Sequence, residues 1–166
     1  MADHHFEEFV ESWGSMGVLW GINRSMARVH ALLIVSHEPI GLEEVCEELE
    51  ISRGNASMCL KELRNWGVAR RVHISGDRRD YYVTESDVWS MFFKILVQRK
   101  KREFDPALQT VREALTTLDD STNSDVGARL SQMEDLLSTI DSVTERFLID
   151  EGSSRSMLRF LIGMSK

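Results

Sequence analysis

Apolar residues return every three or four positions along most of the chain, a pattern that predicts a mainly helical protein. Phe6, Phe9, Val10, Trp13 and Gly17 mark an amphipathic first helix. Met26, Val29, Leu32 and Leu33 mark a second, which stops near His37 because Pro39 follows. Gly14, Gly17 and Gly21 are costly in helices and imply close packing or a break around Trp20. From Gly41 to Glu50, Leu42, Val45, Cys46 and Leu49 share one helical face, and Glu43 and Glu44 suit the positive end of the helix dipole. Only Ile51 and Ser52 precede the next helix, Ser52 to Trp66, in which Ala56, Leu60 and Leu63 form the apolar face with Cys59 and Trp66 at its edge.

The period then changes. Gly67 is suited to a helix C-cap, and Val68 to Ile74 alternates as a strand does. Ser75-Gly76-Asp77 turns the chain, and Tyr81 to Thr84 returns as a second strand. Helical spacing resumes from Asp87 to Phe104, with Val88, Phe92, Ile95 and Leu96 inward and Arg99 to Arg102 as a basic run. Asp105-Pro106 suits the N-cap and first position of a new helix, predicting a kink or restart. That helix carries Val111, Leu115 and Leu118 and ends in a polar linker, Asp119 to Ser124. A long helix follows with Val126, Leu130, Met133, Leu137, Ile140 and Phe147, then a short apolar one from Ser153 to Met164.

Two helices joined by a short connection and followed by a hairpin define a winged helix-turn-helix. The expected fold is mainly α with a small β-hairpin wing, carrying N- and C-terminal helical extensions for dimerisation. The expected division is an N-terminal helix over 1–21, the winged domain over 22–86 and a C-terminal helical dimerisation region over 87–166. The extensions have more apolar surface than so small a motif covers, and a homodimer is the economical solution. A two-fold dimer sets two recognition helices about one DNA turn apart, matching a pseudo-palindromic site.

Composition narrows the class. With 166 residues, 42% of them hydrophobic, the chain has enough for a core. No run approaches the roughly 20 apolar residues that a membrane helix needs. Met1 to Glu8 lacks the basic and apolar regions of an export signal, so the expected location is cytoplasmic. Cys46 and Cys59 fall on apolar faces and read as reduced core residues. His4, His5, His30, His37 and His73 lack zinc-site spacing with them, and there is no phosphate loop or nucleophile motif. No catalytic, metal or cofactor site is expected.

Net charge is −7, which taken alone argues against a nucleic-acid ligand. Its distribution reverses the argument. Ile51 to Val83 holds seven basic and three acidic residues, a net of +4, whereas residues 1–50 carry −8 and residues 84–166 carry −3. A basic island on an acidic body is the footprint of nucleic-acid contact. Ser52 is a good N-cap, and the residues after it form an exposed stripe that is small at the start and basic toward the end: Arg53, Gly54, Ser57, Lys61 and Arg64. Arg bonds guanine and Asn bonds adenine in the major groove, so Arg53, Asn55 and Ser57 are the candidates for base reading. Arg78 and Arg79, at the hairpin tip, are the candidates for phosphate or minor-groove contact. The bland reading makes the helix cations solvated charges and pairs Arg78 and Arg79 with Asp77 and Asp80. A second reading keeps the winged helix as a protein-interaction module without specific DNA readout.

Ser52-Arg53-Gly54-Asn55-Ala56-Ser57-Met58, Leu60-Lys61-Glu62-Leu63, Trp66-Gly67-Val68, Arg70-Arg71-Val72 and Gly76-Asp77-Arg78-Arg79-Asp80-Tyr81-Tyr82 resemble the GbsR branch of the MarR superfamily of transcriptional regulators. The resemblance is specific from Gly21 to about Arg102; beyond it only helical character is shared. One departure is Asn23, where relatives tend to have proline. The resemblance implies a winged-helix homodimer joined through its terminal helices, bound to operator DNA and responsive to a small-molecule effector. Some relatives respond to choline or related osmolytes. A quaternary ammonium needs an aromatic cage, to which Trp13, Trp20, Trp89, Phe92 and Phe93 are the candidate contributors, although aromatics at helical spacing are more often core.

Overall fold

Gly14 and Gly17 let the first two helices meet backbone to backbone. In the computed structural model, which describes residues 4–118 and 124–149 together with Gly152, Ser154 and Ser156, α1 (His4–Leu19) runs unbroken through both glycines. A Cβ at Gly17 would lie 2.6 Å from the Cβ of Ala27, and one at Gly14 would lie 2.6 Å from the Cγ of Arg28, both on α2 (Arg24–Val35). The break comes only after Leu19, where Gly21 takes a φ of 72°. Asn23 then caps α2, its side-chain oxygen accepting from the Met26 amide at 3.1 Å.

The helix pair of the motif follows as α3 (Leu42–Leu49) and α4 (Arg53–Asn65). Glu44 Oε2 accepts from the Gly41 amide at 2.6 Å and so fastens the start of α3. The wing is part of a three-stranded antiparallel sheet of order β1-β3-β2, made by β1 (Ile40–Gly41), β2 (Ala69–Val72) and β3 (Tyr81–Thr84). Two residues are too short to show alternation, so β1 has no signature in the sequence; its partner defines it, with Gly41 opposite Tyr81. The strand expected over Val68 to Ile74 is shorter at both ends. Val68 is fully buried as a connection, and the Ile74 carbonyl already accepts the Asp77 amide of the turn. Val29, Leu33, Val45, Leu60, Leu63, Val68 and Phe93 are fully buried.

α5 (Val88–Arg99) starts from Asp87, whose Oδ1 accepts the Trp89 and Ser90 amides at 2.9 and 3.3 Å. This start corrects one expectation. Val88 is 67% exposed rather than inward, because it sits in the uncovered first turn; Met91 and Phe93 are the buried residues. Of the kink or restart expected at Asp105-Pro106, the restart does not occur. Lys100–Phe104 is a π-helical turn, with the Asp105 amide bonded to the Lys100 carbonyl, and it leads without a break into α6 (Asp105–Thr117). Pro106 has no N–H to give and its ring crowds the carbonyl four residues back; a widened turn ahead of it accommodates both. Asp105 consequently binds Lys100 Nζ at 2.7 Å instead of capping a new helix.

The chain divides into two compact units, one up to Lys94 and one from Ile95. In the second, α6 packs Leu108 and Val111 inward, and Arg112 reaches Glu134 and Ser138 of α7 (Ser124–Ile149) at 2.9 Å each. Lys100 binds Asp141 of α7 at 2.7 Å. Ser124 already belongs to α7 and the rest of the expected linker lies outside the described residues. The expected apolar helix from Ser153 to Met164 also lies outside them, apart from Ser154 and Ser156.

Candidate nucleic-acid interface

The faces of α4 separate cleanly. Ala56, Cys59, Leu60 and Leu63 are buried, and Ser52, Arg53, Gly54, Ser57, Lys61 and Arg64 are exposed. Ser52 caps the helix by accepting the Asn55 amide at 3.3 Å. A Cβ at Gly54 would meet nothing within 4 Å, so internal packing does not require glycine there. Among the described residues, the side chains of Lys61 and Arg64 have no ion-pair partner. Met58, 65% exposed beside them, was not among the sequence candidates and adds an apolar contact of the kind that suits a thymine methyl.

Asn55, a candidate for base reading, does not lie open like Arg53 and Ser57. It is half-buried, its Nδ2 donates to Ser25 Oγ at 3.1 Å and its Oδ1 accepts from Cys59 Sγ at 3.4 Å. The Nδ2 end thus fastens α4 to the start of α2, while the Oδ1 end is held within α4 by Cys59. On a helix, residues one turn apart lie on one flank, and position 55 falls with Cys59 on the flank turned toward α2, which the sequence could not name. Both cysteines are free, and burial raises the Cys59 thiol above its ordinary pKa.

At the wing, Arg79 closes on Asp77. Its Nε lies 3.0 Å and its Nη2 2.7 Å from Asp77 Oδ2, and its amide donates to Oδ1 at 2.9 Å. Tyr81 Oη donates to the same carboxylate at 2.8 Å, and the Arg79 guanidinium stacks over the Tyr81 ring, 5.2 Å from its centroid. Arg79, through its side chain and then its amide, holds the Asp77 carboxyl well below the usual carboxylate range. Asp80 pairs with Arg71 at 3.0 Å rather than with Arg78. Arg78 and Arg70 are therefore exposed and unpaired among the described residues.

The first turn of α3 stands beside both elements. Glu43 pairs with Arg53 of α4, a contact with no signature in the sequence, because the two residues are ten apart on different helices. Its carboxyl is held below its ordinary pKa, first by its own backbone amide and then by Arg53, with the field of Arg79 adding to both. Behind this turn, Arg28 ties α1 to the end of α3: Nε meets Glu11 at 2.6 Å and Nη1 donates to the Leu49 carbonyl at 3.1 Å.

The aromatic candidates do not converge. Trp13 touches Phe9 and His30, with centroids 5.5 and 6.3 Å apart. Trp89, Phe92 and Phe93 form a second cluster with centroid distances of 5.7 to 6.5 Å, in which Phe93 is core. Trp20 is half exposed and joins neither cluster.

No protein-family model matches the chain. It is 22% identical over 173 aligned positions to the HTH-type transcriptional repressor OpcR of Bacillus subtilis, spanning 96% of this chain and 90% of that protein. To the HTH-type transcriptional repressor GbsR of the same organism it is 27% identical over 100 positions, 60% of this chain and 55% of that protein. A crystal structure described as a transcriptional regulator superposes with a TM-score of 0.66 at 25% identity, covering 87% of this chain and 95% of that one.

Proposed function

We propose that this chain, a winged helix-turn-helix protein of the kind found in GbsR-like HTH-type regulators, is a transcriptional regulator that binds double-stranded DNA in a sequence-specific way. The observation that carries this reading is the exposed face of α4, where Ser52, Arg53, Ser57, Lys61 and Arg64 stand clear of a core built on the opposite face. Such a helix enters the major groove with its N-terminal residues against base edges. In this reading Arg53 and Ser57 contact bases. Lys61, Arg64, Arg70 and Arg78 contact phosphates, and Arg79, braced by Asp77 and Tyr81, adds its charge beside the backbone. Asn55 braces the helix instead of reading adenine.

The protein works as a homodimer. α7 leaves Val126, Met133, Leu136, Ile140 and Val143 exposed, an apolar stripe that a second copy of the same helix would cover. The test is selection of sites from a random DNA pool by the purified protein at two salt concentrations. A palindromic site, bound with an affinity that falls steeply as salt rises, is the expected result. Enrichment of no sequence, with weak binding even at low salt, would favour the protein-interaction module.

A further inference from the structure

The recognition helix begins with an arginine where a helix disfavours positive charge. Arg53 is the first residue of α4, beside amides that carry the positive end of the helix dipole. What stands against it is Glu43, from the first turn of α3, whose Oε1 accepts from Arg53 Nη1. The two side chains are 71% and 49% exposed, and ion pairs so open to water add little to stability. Orientation is the consequence that matters. Arginine presents five N–H donors in a planar fork, and Glu43 engages one nitrogen, leaving the Nε and Nη2 edge open. Guanine O6 and N7 are read bidentately by such an edge, and only when its plane is held in line with the base.

The anchor is itself well held. Glu43 sits two residues after Gly41, which pairs with Tyr81 in the sheet and whose amide is fastened by Glu44. The support under Arg53 is thereby continuous with the base of the wing. We propose that Glu43 is the positioning residue that aims Arg53 at guanine and so sets the base preference of the recognition helix. The assignment rests on the DNA-binding reading above. A carboxylate that merely repelled the duplex would lower affinity for every sequence by the same factor, whereas an orienting one acts at a single base pair.

The experiment uses the full chain and the site recovered by selection, with each base pair replaced in turn; the pair read by Arg53 is the one whose preference is lost in Arg53→Ala. In Glu43→Gln, discrimination at that pair is expected to fall by about tenfold, the size of one well-made bidentate contact, with preferences elsewhere and the melting temperature unchanged. In the Arg53→Ala background, Glu43→Gln is expected to alter no preference further. The proposal is overturned if Glu43→Gln tightens binding to all sequences alike and keeps the guanine preference, or if its effect persists without Arg53. Should the wild-type chain enrich no site, the DNA-binding reading itself falls, and this assignment with it.

Discussion

Arg53 and Arg79 are both paired with acids in the free protein, yet the two pairs differ in kind. Arg53 is engaged through one nitrogen, whereas Arg79 is locked by a carboxylate, a backbone bond and a tyrosine ring. Arg53→Ala is expected to weaken specific binding by about 1–3 kcal/mol and to relax preference at one base pair. Arg79→Ala is expected to weaken binding to all sequences about equally, because it removes a charge near the backbone rather than a base contact. Titrations against cognate and scrambled duplexes separate the two outcomes. His30 offers a test of the core. Burial lowers its pKa from 6.5 to about 4, and it lies 4% exposed against Trp13. The unfolded chain takes up a proton near pH 6.5 while the folded one stays neutral to about 4, so stability falls as pH drops through that window. The loss approaches about 3 kcal/mol at its lower end. Urea unfolding across that range should show this slope, and His30→Phe should lack its share of it.

At the scale of elements, two glycines in helices have opposite meanings. Gly17 lies where a Cβ would meet the Cβ of Ala27 at 2.6 Å, and neither atom can rotate away. Gly17→Ala gains about 1 kcal/mol of helix propensity but forces α1 from α2, and a net loss of about 1–2 kcal/mol is expected in thermal unfolding. Gly54 has open space around it. Gly54→Ala should stabilise the fold by up to about 1 kcal/mol and weaken DNA binding, if the groove approaches the backbone there. An unchanged affinity in that variant would show that the small residue has no part in the contact. The π-helical turn at Lys100–Phe104 belongs to this scale too, since it lets Pro106 sit inside an uninterrupted helical run.

For the whole molecule, the charge distribution and the stripe on α7 point in one direction. Each copy carries a +4 island within a chain of net charge −7, so the salt dependence of binding should reflect two islands per duplex if the protein is a dimer. Leu136→Glu with Ile140→Glu places charges in the exposed apolar stripe, on positions 59% and 41% exposed in the single chain. The double variant is expected to sediment as a monomer and to bind a half-site no worse than the wild type does, while losing the gain from a full palindrome. Retention of the dimer would move the interface away from this stripe.

Sequence periodicity by itself determined the helices of the motif, the hairpin and the basic island, because each rests on interactions within a few residues: caps, turns and the alternation of apolar faces. Ser52 as a cap, Gly67 and Gly76 at turns with positive φ, and the apolar faces of α3 and α4 are all of this local kind. The tertiary structure alone decided what depends on distant partners. It turned Asn55 inward against Ser25, set Glu43 beside Arg53 and paired Asp80 with Arg71 instead of Arg78. It also created β1 from two residues, exposed Val88 and carried the helix through Pro106. A hydrogen bond or ion pair between two elements depends on how those elements pack, and packing places side chains that no local pattern relates.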